Sequence, residues 1–184
     1  MKEHILPAIK LTLFTTILFC GIYTLLIYAV AQFAPAKGKG QTVTVNGKIV
    51  GYALEGQTFN QDKYFWSRPS AINYNAASSG GSNKGPGNPD YLKDVQNKVD
   101  SFIVHNPTIQ KEQIPSDMLN ASGSGLDPDI SLQAALIQVD RISKLRNINK
   151  EKIESIIQSQ KEKSFTGIER LNVLQLNIAL DTIK

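Results

Sequence analysis

Two glycine- and serine-rich stretches, SSGGSNKGPGNP at 78–89 and ASGSGLDPDIS at 121–131, hold the residues whose types come nearest to chemistry. Gly80 and Gly85 have the spacing that begins a phosphate-binding loop. Such a loop continues with Lys and then Ser or Thr to reach the phosphates and a magnesium ion, and Pro86 and Gly87 stand there instead. Neither Ser82 nor Ser124 lies in a G-x-S-x-G elbow, and His4 and His105 are the only imidazoles available as a base. Metal binding lacks support as well: there is one cysteine, Cys20, and no His pair at helical spacing. Asp127 and Asp129 have the chemistry for proton exchange, but in D-P-D ahead of a periodic apolar run they read as helix-opening residues. The chain is thus expected to hold no catalytic residue, no metal ligand and no cofactor of its own. Its glycines supply unusual backbone angles and its Ser and Asn side chains local hydrogen bonds, which makes shaped loops suited to recognition.

The largest element behind these loops is an apolar run. Residues 11–34, LTLFTTILFCGIYTLLIYAVAQFA, carry no charge and are long enough to cross a hydrocarbon core about 30 Å thick. The run exceeds the roughly 7–15 apolar residues of a signal-peptide core, so an uncleaved anchor is predicted despite the small residues Ala29-Val30-Ala31. Lys2 and Lys10 before it are matched by Lys37 and Lys39 after it, and a long downstream domain translocates largely regardless of such charges. The expected layout is a cytoplasmic N-terminus at 1–10, a membrane helix at 11–34, a linker at 35–41 and a soluble extracytoplasmic α+β domain at 42–184. Cys20 falls inside the apolar run and reads as a small packing residue. A net charge of +4 with no basic run points away from nucleic acid.

Within the soluble part, TVTVNGKIVGYAL at 42–54 predicts a hairpin, because Asn46-Gly47 suits a type I′ turn between β-branched residues. YFWSRPSA at 64–71 predicts an aromatic cluster in which Arg68 stacks on Trp66 or Phe65. Asn88-Pro89-Asp90 opens a helix whose buried face runs through Leu92, Val95, Val99, Phe102 and Ile103, and Asn106-Pro107 ends it with His105 near its negative end. Asp127-Pro128-Asp129 is expected to open a second helix through Leu136, Val139 and Ile142 towards Arg146. A third lies around 150–160 with Ile153, Ile156 and Ile157 on one side. The segment 171–181 alternates like a strand, yet Asn172 can cap a helix, and helix is the favoured reading.

Several of these segments, taken in order, resemble the C subunit (KdpC) family of the Kdp-type potassium-transporting P-type ATPase. They are Ala53-Leu54-x-Gly56-Gln57-x-Phe59, Tyr64-Phe65-x-x-Arg68-Pro69-Ser70-Ala71, and Ser79-Gly80-Gly81-Ser82-Asn83 leading to Asn88-Pro89. Then come Ala121-Ser122-Gly123-Ser124-Gly125-Leu126-Asp127-Pro128, Gln138 and Arg141 on the next helix, and Asn172-Val173-Leu174-x-Leu176-Asn177. Lys84, Asp129 and Glu55 depart from the family pattern, and no role is carried onto them.

The resemblance implies a non-catalytic membrane subunit working beside a channel-like potassium-binding subunit and a P-type ATPase subunit, with ATP and magnesium held by the latter. It implies that the soluble domain lies outside the cytoplasm, and also that the protein is a catalytic chaperone raising the ATPase subunit's affinity for ATP. The shared residues Phe65, Arg68, Pro69, Ser70, Gly80, Gly81, Ser82, Asn83, Asn88, Ser122, Gly123, Ser124, Gly125, Asp127, Gln138, Arg141, Asn172 and Asn177 become candidates for partner contact. The alternatives are a membrane-anchored extracytoplasmic module that binds a small ligand, and an anchored hydrolase of unrecognised type.

Overall fold

A computed structural model of the chain describes residues 2–163 and 167–183. It contains two compact units, Met1–Gln41 and Thr42–Lys184. The first is one helical run built of α1 (Lys2–Thr16), a π-helical stretch at Ile17–Tyr23 and α2 (Thr24–Ala31). Over Glu3–Ala31 it is 29 residues long and apolar enough to span a membrane, with none of its apolar window buried in protein. In the π-helical stretch the Thr24 hydroxyl donates to the Phe19 carbonyl five residues back, at 3.0 Å. The helix begins well before residue 11 and stops at Ala31, short of the expected 34. Pro35 supplies the reason for the stop, since a residue before proline is pushed out of the helical region and Ala34 is extended at φ −73° and ψ 155°.

The second unit is α+β. It opens with β1 (Thr42–Val45) and β2 (Lys48–Tyr52), an antiparallel hairpin with Asn46 and Gly47 at φ 50° and 77°, as the type I′ turn demands. After an irregular stretch comes α3 (Pro89–His105), which the Asn88 side chain caps by accepting from Tyr91 N–H at 3.1 Å. Asn106 ends it, Val99 and Phe102 are buried, and Leu92, expected on the buried face, is 55% exposed.

The D-P-D segment does not open a helix. Asp129–Ser131 forms β3, and the helix starts later as α4 (Leu132–Leu136), capped by Ser131 accepting from Ala134 N–H at 3.1 Å. The Pro128 carbonyl accepts from Val173 N–H at 3.0 Å, so pairing with the C-terminal region draws this stretch into a sheet. The remainder of the expected helix is α5 (Val139–Arg146), closed by Asn147 in the left-handed conformation. Then follow α6 (Lys150–Ser159), β4 (Glu162–Lys163), β5 (Glu169–Asn172) and α7 (Val173–Thr182). The Asn172 side chain accepts from Gln175 N–H at 3.1 Å, which confirms the C-terminal helix and places a strand immediately before it.

The sheet has the order β3-β5-β4, all antiparallel, and its central pair Ile130↔Leu171 is buried at 2% and 0% exposure. Ile142, Ile153, Ile157, Leu176 and Leu180 from three helices complete the core together with Phe65. Each fully buried aliphatic side chain of this kind contributes about 1.5–3 kcal/mol.

Candidate functional site

Most of the family-like residues gather in two assemblies around the irregular stretch that follows the hairpin. The first surrounds Phe65 and Trp66, whose backbone runs extended between α3, α5 and α7. An extended segment with no neighbouring strand needs other partners for its N–H and C=O groups, and here side-chain amides supply them. Asn177 on α7 accepts from Phe65 N–H at 2.9 Å and donates to its carbonyl at 3.0 Å. Gln138 accepts from Trp66 N–H at 2.8 Å and is itself held by donating to the Ala134 carbonyl at 2.9 Å.

Arg141 ties the assembly together. Its guanidinium donates to Gln138 Oε1 at 2.6 Å, to the carbonyls of Asp62 at 2.9 Å and Tyr64 at 3.2 Å, and to Asn106 Oδ1 at 3.0 Å. It also lies over the Trp66 ring, 4.5 Å from the centroid. The cation on this ring is therefore Arg141, not Arg68 as the sequence suggested. Burial pushes the guanidinium down to about 10, opposed by the charge of Asp62, so Arg141 stays protonated at neutral pH. Asp62 also meets His105 Nδ1 at 2.8 Å, and His105 packs edge-on against Trp66 with ring centroids 5.0 Å apart.

The second assembly is made by the two Gly/Ser loops, which lie against each other. The Ser124 carbonyl accepts from Gly80 N–H at 2.9 Å and from the Ser79 hydroxyl at 3.0 Å. The Ser70 hydroxyl donates to the Gly125 carbonyl at 2.7 Å and accepts from Tyr74 N–H at 2.9 Å, while Ser122 N–H donates to the Pro69 carbonyl at 3.3 Å. A Cβ on Gly81 would meet the Gly123 carbonyl at 3.2 Å, so a side chain there would press on the facing backbone. Arg68, freed from the aromatic cluster, pairs with Asp127 at 2.6 Å, and the other Asp127 oxygen accepts from Asp129 N–H at 3.0 Å. Both oxygens of this carboxylate thus hold a turn together.

Elsewhere, Asn172 donates to the Ala53 carbonyl at 2.8 Å and so fixes the chain leaving the hairpin to the start of α7. Ser82, Asn83 and Asn88 stand apart on the exposed approach to α3, with Asn83 at φ 53°. Ser70, Gly81, Ser82 and Lys98 line a cleft of 520 Å³ there. Lys84 is paired with Asp94 at 3.0 Å. Another cavity of 520 Å³ lies between the hairpin, the 57–61 stretch and α7, with Val45, Val50, Phe59, Leu174 and Ile178 on its walls. Among the described residues no group of three or more His, Cys, Asp and Glu is placed to hold a metal ion.

Sequence reasoning missed Asn106, Asp62 and Tyr74. Asn106 reads as a helix stop beside Pro107, yet its side chain is buried, donating to the Phe102 carbonyl at 2.9 Å while it receives Arg141. Asp62 and Tyr74 carry no sequence signal, because their partners are the far-off Arg141 and the Arg68 carbonyl.

A family model described as KdpC: K+-transporting ATPase, c chain, matches residues 5–182. The chain is similar to a protein of Flavobacterium johnsoniae named potassium-transporting ATPase KdpC subunit, at 52% identity over 99% of this chain and 100% of the other. Proteins of the same name from Bacteroides fragilis and Bacillus mycoides are 45% and 42% identical, over 99% of this chain and 98% and 97% of theirs.

Proposed function

The chain belongs to the KdpC family of K+-transporting ATPase c chains, and we propose that it is the accessory, non-catalytic subunit of a potassium-transporting ATPase, required for the complex to assemble and persist. One observation carries this reading. The match runs through nearly the whole chain, yet the polar side chains that carry the resemblance, Arg68, Asp127, Gln138, Arg141, Asn172 and Asn177, are engaged with groups of their own fold. Such residues keep a surface in shape, and a shaped surface serves partners.

The partners in this reading are a channel-like potassium-binding subunit and a P-type ATPase subunit that carries ATP and magnesium. The helix Glu3–Ala31 crosses the membrane once, with the N-terminus cytoplasmic and the α+β unit outside. Gly21 and its hydroxylated neighbours, Thr15, Thr16 and Thr24, suit close packing against other membrane helices. A gain in the ATPase subunit's affinity for ATP then travels through the assembled complex, because ATP is on the opposite side of the membrane from the α+β unit.

The test is deletion of the chain from cells that depend on high-affinity potassium uptake, followed by complementation. Without it, the other subunits should not co-purify, and potassium-stimulated ATP hydrolysis should fall. Alanine at Ser82, His105, Ser124 or Asp129 should leave turnover of the assembled complex within a few-fold of normal. Abolition of turnover by one of these changes in an intact complex would refute the non-catalytic reading.

A further inference from the structure

The turn between α5 and α6 opens onto a cleft of 460 Å³ whose other walls are residues 63 and 64 and the end of α7. Among the described residues that line it, Lys63, Arg146 and Lys152 are cations and Asp181 is the sole carboxylate. That carboxylate is already satisfied, since Oδ1 accepts from Arg146 Nη2 at 2.6 Å and Oδ2 from the Tyr64 hydroxyl at 3.0 Å. Arg146 and Asp181 offset each other, and the charge left over is that of the two lysines. Among the described residues neither lysine pairs with a carboxylate, whereas Lys84, Lys144, Lys150 and Lys161 each do.

The cleft is held in shape by its own walls. Arg146 Nε donates to the Lys63 carbonyl at 2.8 Å, and its guanidinium lies 4.7 Å from the centroid of the Tyr64 ring. Lys63 Nζ stands 5.3 Å from the same centroid, so the negative face of the ring steadies the ammonium there. On the α5–α6 side Asn147 is left-handed and the Ser143 hydroxyl donates to the Ile148 carbonyl at 2.6 Å, which fixes the turn ahead of Lys152. α6 begins here with no side-chain cap from Asn149, and its dipole adds to the same sign. Beside these cations Leu145 is 57% exposed, and Ile148 and Ile183 are half-buried.

Surplus positive charge beside an apolar shoulder selects the occupant. A free inorganic anion would meet the lysines but leave Leu145 bare, and a flat bilayer surface cannot enter a concavity. A protein segment supplies both an acidic side chain for the lysines and apolar neighbours for Leu145, Ile148 and Ile183. We propose that this cleft docks an acidic, apolar-flanked segment of another subunit of the complex, with its carboxylate between Lys63 and Lys152 and its apolar neighbours on Leu145. This rests on the assembly role proposed above and gives that role a place on the surface. Both lysines are exposed, so they steer and register the docking, and their effect falls as salt rises.

The test uses the assembled complex with the photoreactive amino acid p-benzoylphenylalanine in place of Asn149, which is exposed and whose side chain caps nothing. A control complex carries it in place of Ser159, at the far end of α6. Irradiation at low salt should join residue 149 to another subunit, at a peptide that holds Asp or Glu beside apolar residues, and residue 159 should not reach that peptide. Lys63→Glu combined with Lys152→Glu should lower the yield of this adduct about tenfold while the melting temperature of the chain holds. Lysine in place of the mapped acidic residue should then restore the yield. The proposal is overturned, with the assembly role left standing, by any of three results in a complex that still holds the chain: no adduct at residue 149, an adduct only to lipid or to a second copy of the chain, or a yield that the double reversal leaves unchanged. A chain that fails to co-purify with the other subunits overturns both.

Discussion

The Asn177 amide closes both backbone groups of Phe65, accepting from its N–H at 2.9 Å and donating to its carbonyl at 3.0 Å. One side chain on α7 thereby does for residue 65 what a neighbouring strand would do in a sheet. Gln138, just ahead of α5, gives Trp66 half of the same service, and Arg141 takes the carbonyls of Asp62 and Tyr64. The stretch after the hairpin is therefore ordered without being a helix or a strand, and the loops that follow it inherit a fixed starting point.

Asn177→Ala should be among the most damaging single changes in the α+β unit. It leaves an N–H and a C=O unpaired at a residue that is 0% exposed, and each such group costs about 1–3 kcal/mol. Thermal unfolding of the full chain in detergent should show a clear fall in melting temperature. An unchanged melting temperature would mean that water or a shifted side chain replaces the amide.

Asp127 and Ser131 separate two roles that the sequence merged. Ser131 is the cap of α4, so Ser131→Ala should cost about 0.5–2 kcal/mol, with a further share from its contact to Asp117 at 3.2 Å. Asp127 holds Arg68, so Asp127→Ala should disturb the loop pair rather than the helix, and Asp127→Asn, which keeps an acceptor for Asp129 N–H, should be milder. Hydrogen exchange distinguishes them: the Asp127 change should expose Gly80 N–H, and the Ser131 change Ala134 N–H. A swapped pattern would reject the assignment.

Two glycines of one loop should behave differently. Gly125 has φ +69°, and a Cβ there would meet the Gly80 carbonyl at 2.9 Å as well as Ile72, so Gly125→Ala should destabilise by about 1–3 kcal/mol. Gly123 has negative φ and nothing within 4 Å of the Cβ position, so Gly123→Ala should be nearly neutral. Equal melting temperatures for the two variants would contradict the packed-loop geometry.

What the sequence made legible was local. Asn46-Gly47, Asn88-Pro89 and Asn172 each act within a few residues, and each forms the turn or cap its chemistry favours. Asp127-Pro128-Asp129 carries the same helix-opening chemistry but leads into a strand that begins at Asp129 and pairs with β5, a partner more than 40 residues away. Arg141 holds the ring expected for Arg68 for a related reason: a guanidinium finds its ring or carboxylate by proximity in space, which spacing along the chain does not encode. The two loops were legible as separate Gly/Ser-rich stretches, but their mutual contact depends on the two loops meeting.

Acid stability should carry the signature of Asp140. Hydrogen bonds from Lys144 at 2.7 Å and from Lys150 hold its carboxyl well below the usual range, at about 2. The folded value lies below the unfolded one near 4, so the stability it confers is fully present above pH 4 and is lost as pH falls towards 2. The lysines are exposed and solvent screens the cluster, which limits the effect to about 1 kcal/mol or less. In acid titrations followed by circular dichroism, Asp140→Asn should remove part of the loss between pH 4 and 2 and change little at pH 7. An identical acid limb would show that the cluster contributes nothing.

Topology gives the sharpest division between readings of this protein. Lys2 and Lys10 on one side of the helix balance Lys37 and Lys39 on the other, so the lysine rule alone is silent, and the expectation of an outside domain rests on the translocation of long downstream segments. Ser159 is exposed at the end of α6, far in sequence from the loops, and is suited to carry a reporter. In a Cys20→Ser background, Ser159→Cys should react with a membrane-impermeant maleimide on intact spheroplasts, and His4→Cys only after lysis. The reverse pattern would place the α+β unit in the cytoplasm. It would then share a compartment with ATP, and direct contact with the nucleotide-binding subunit would become the natural reading.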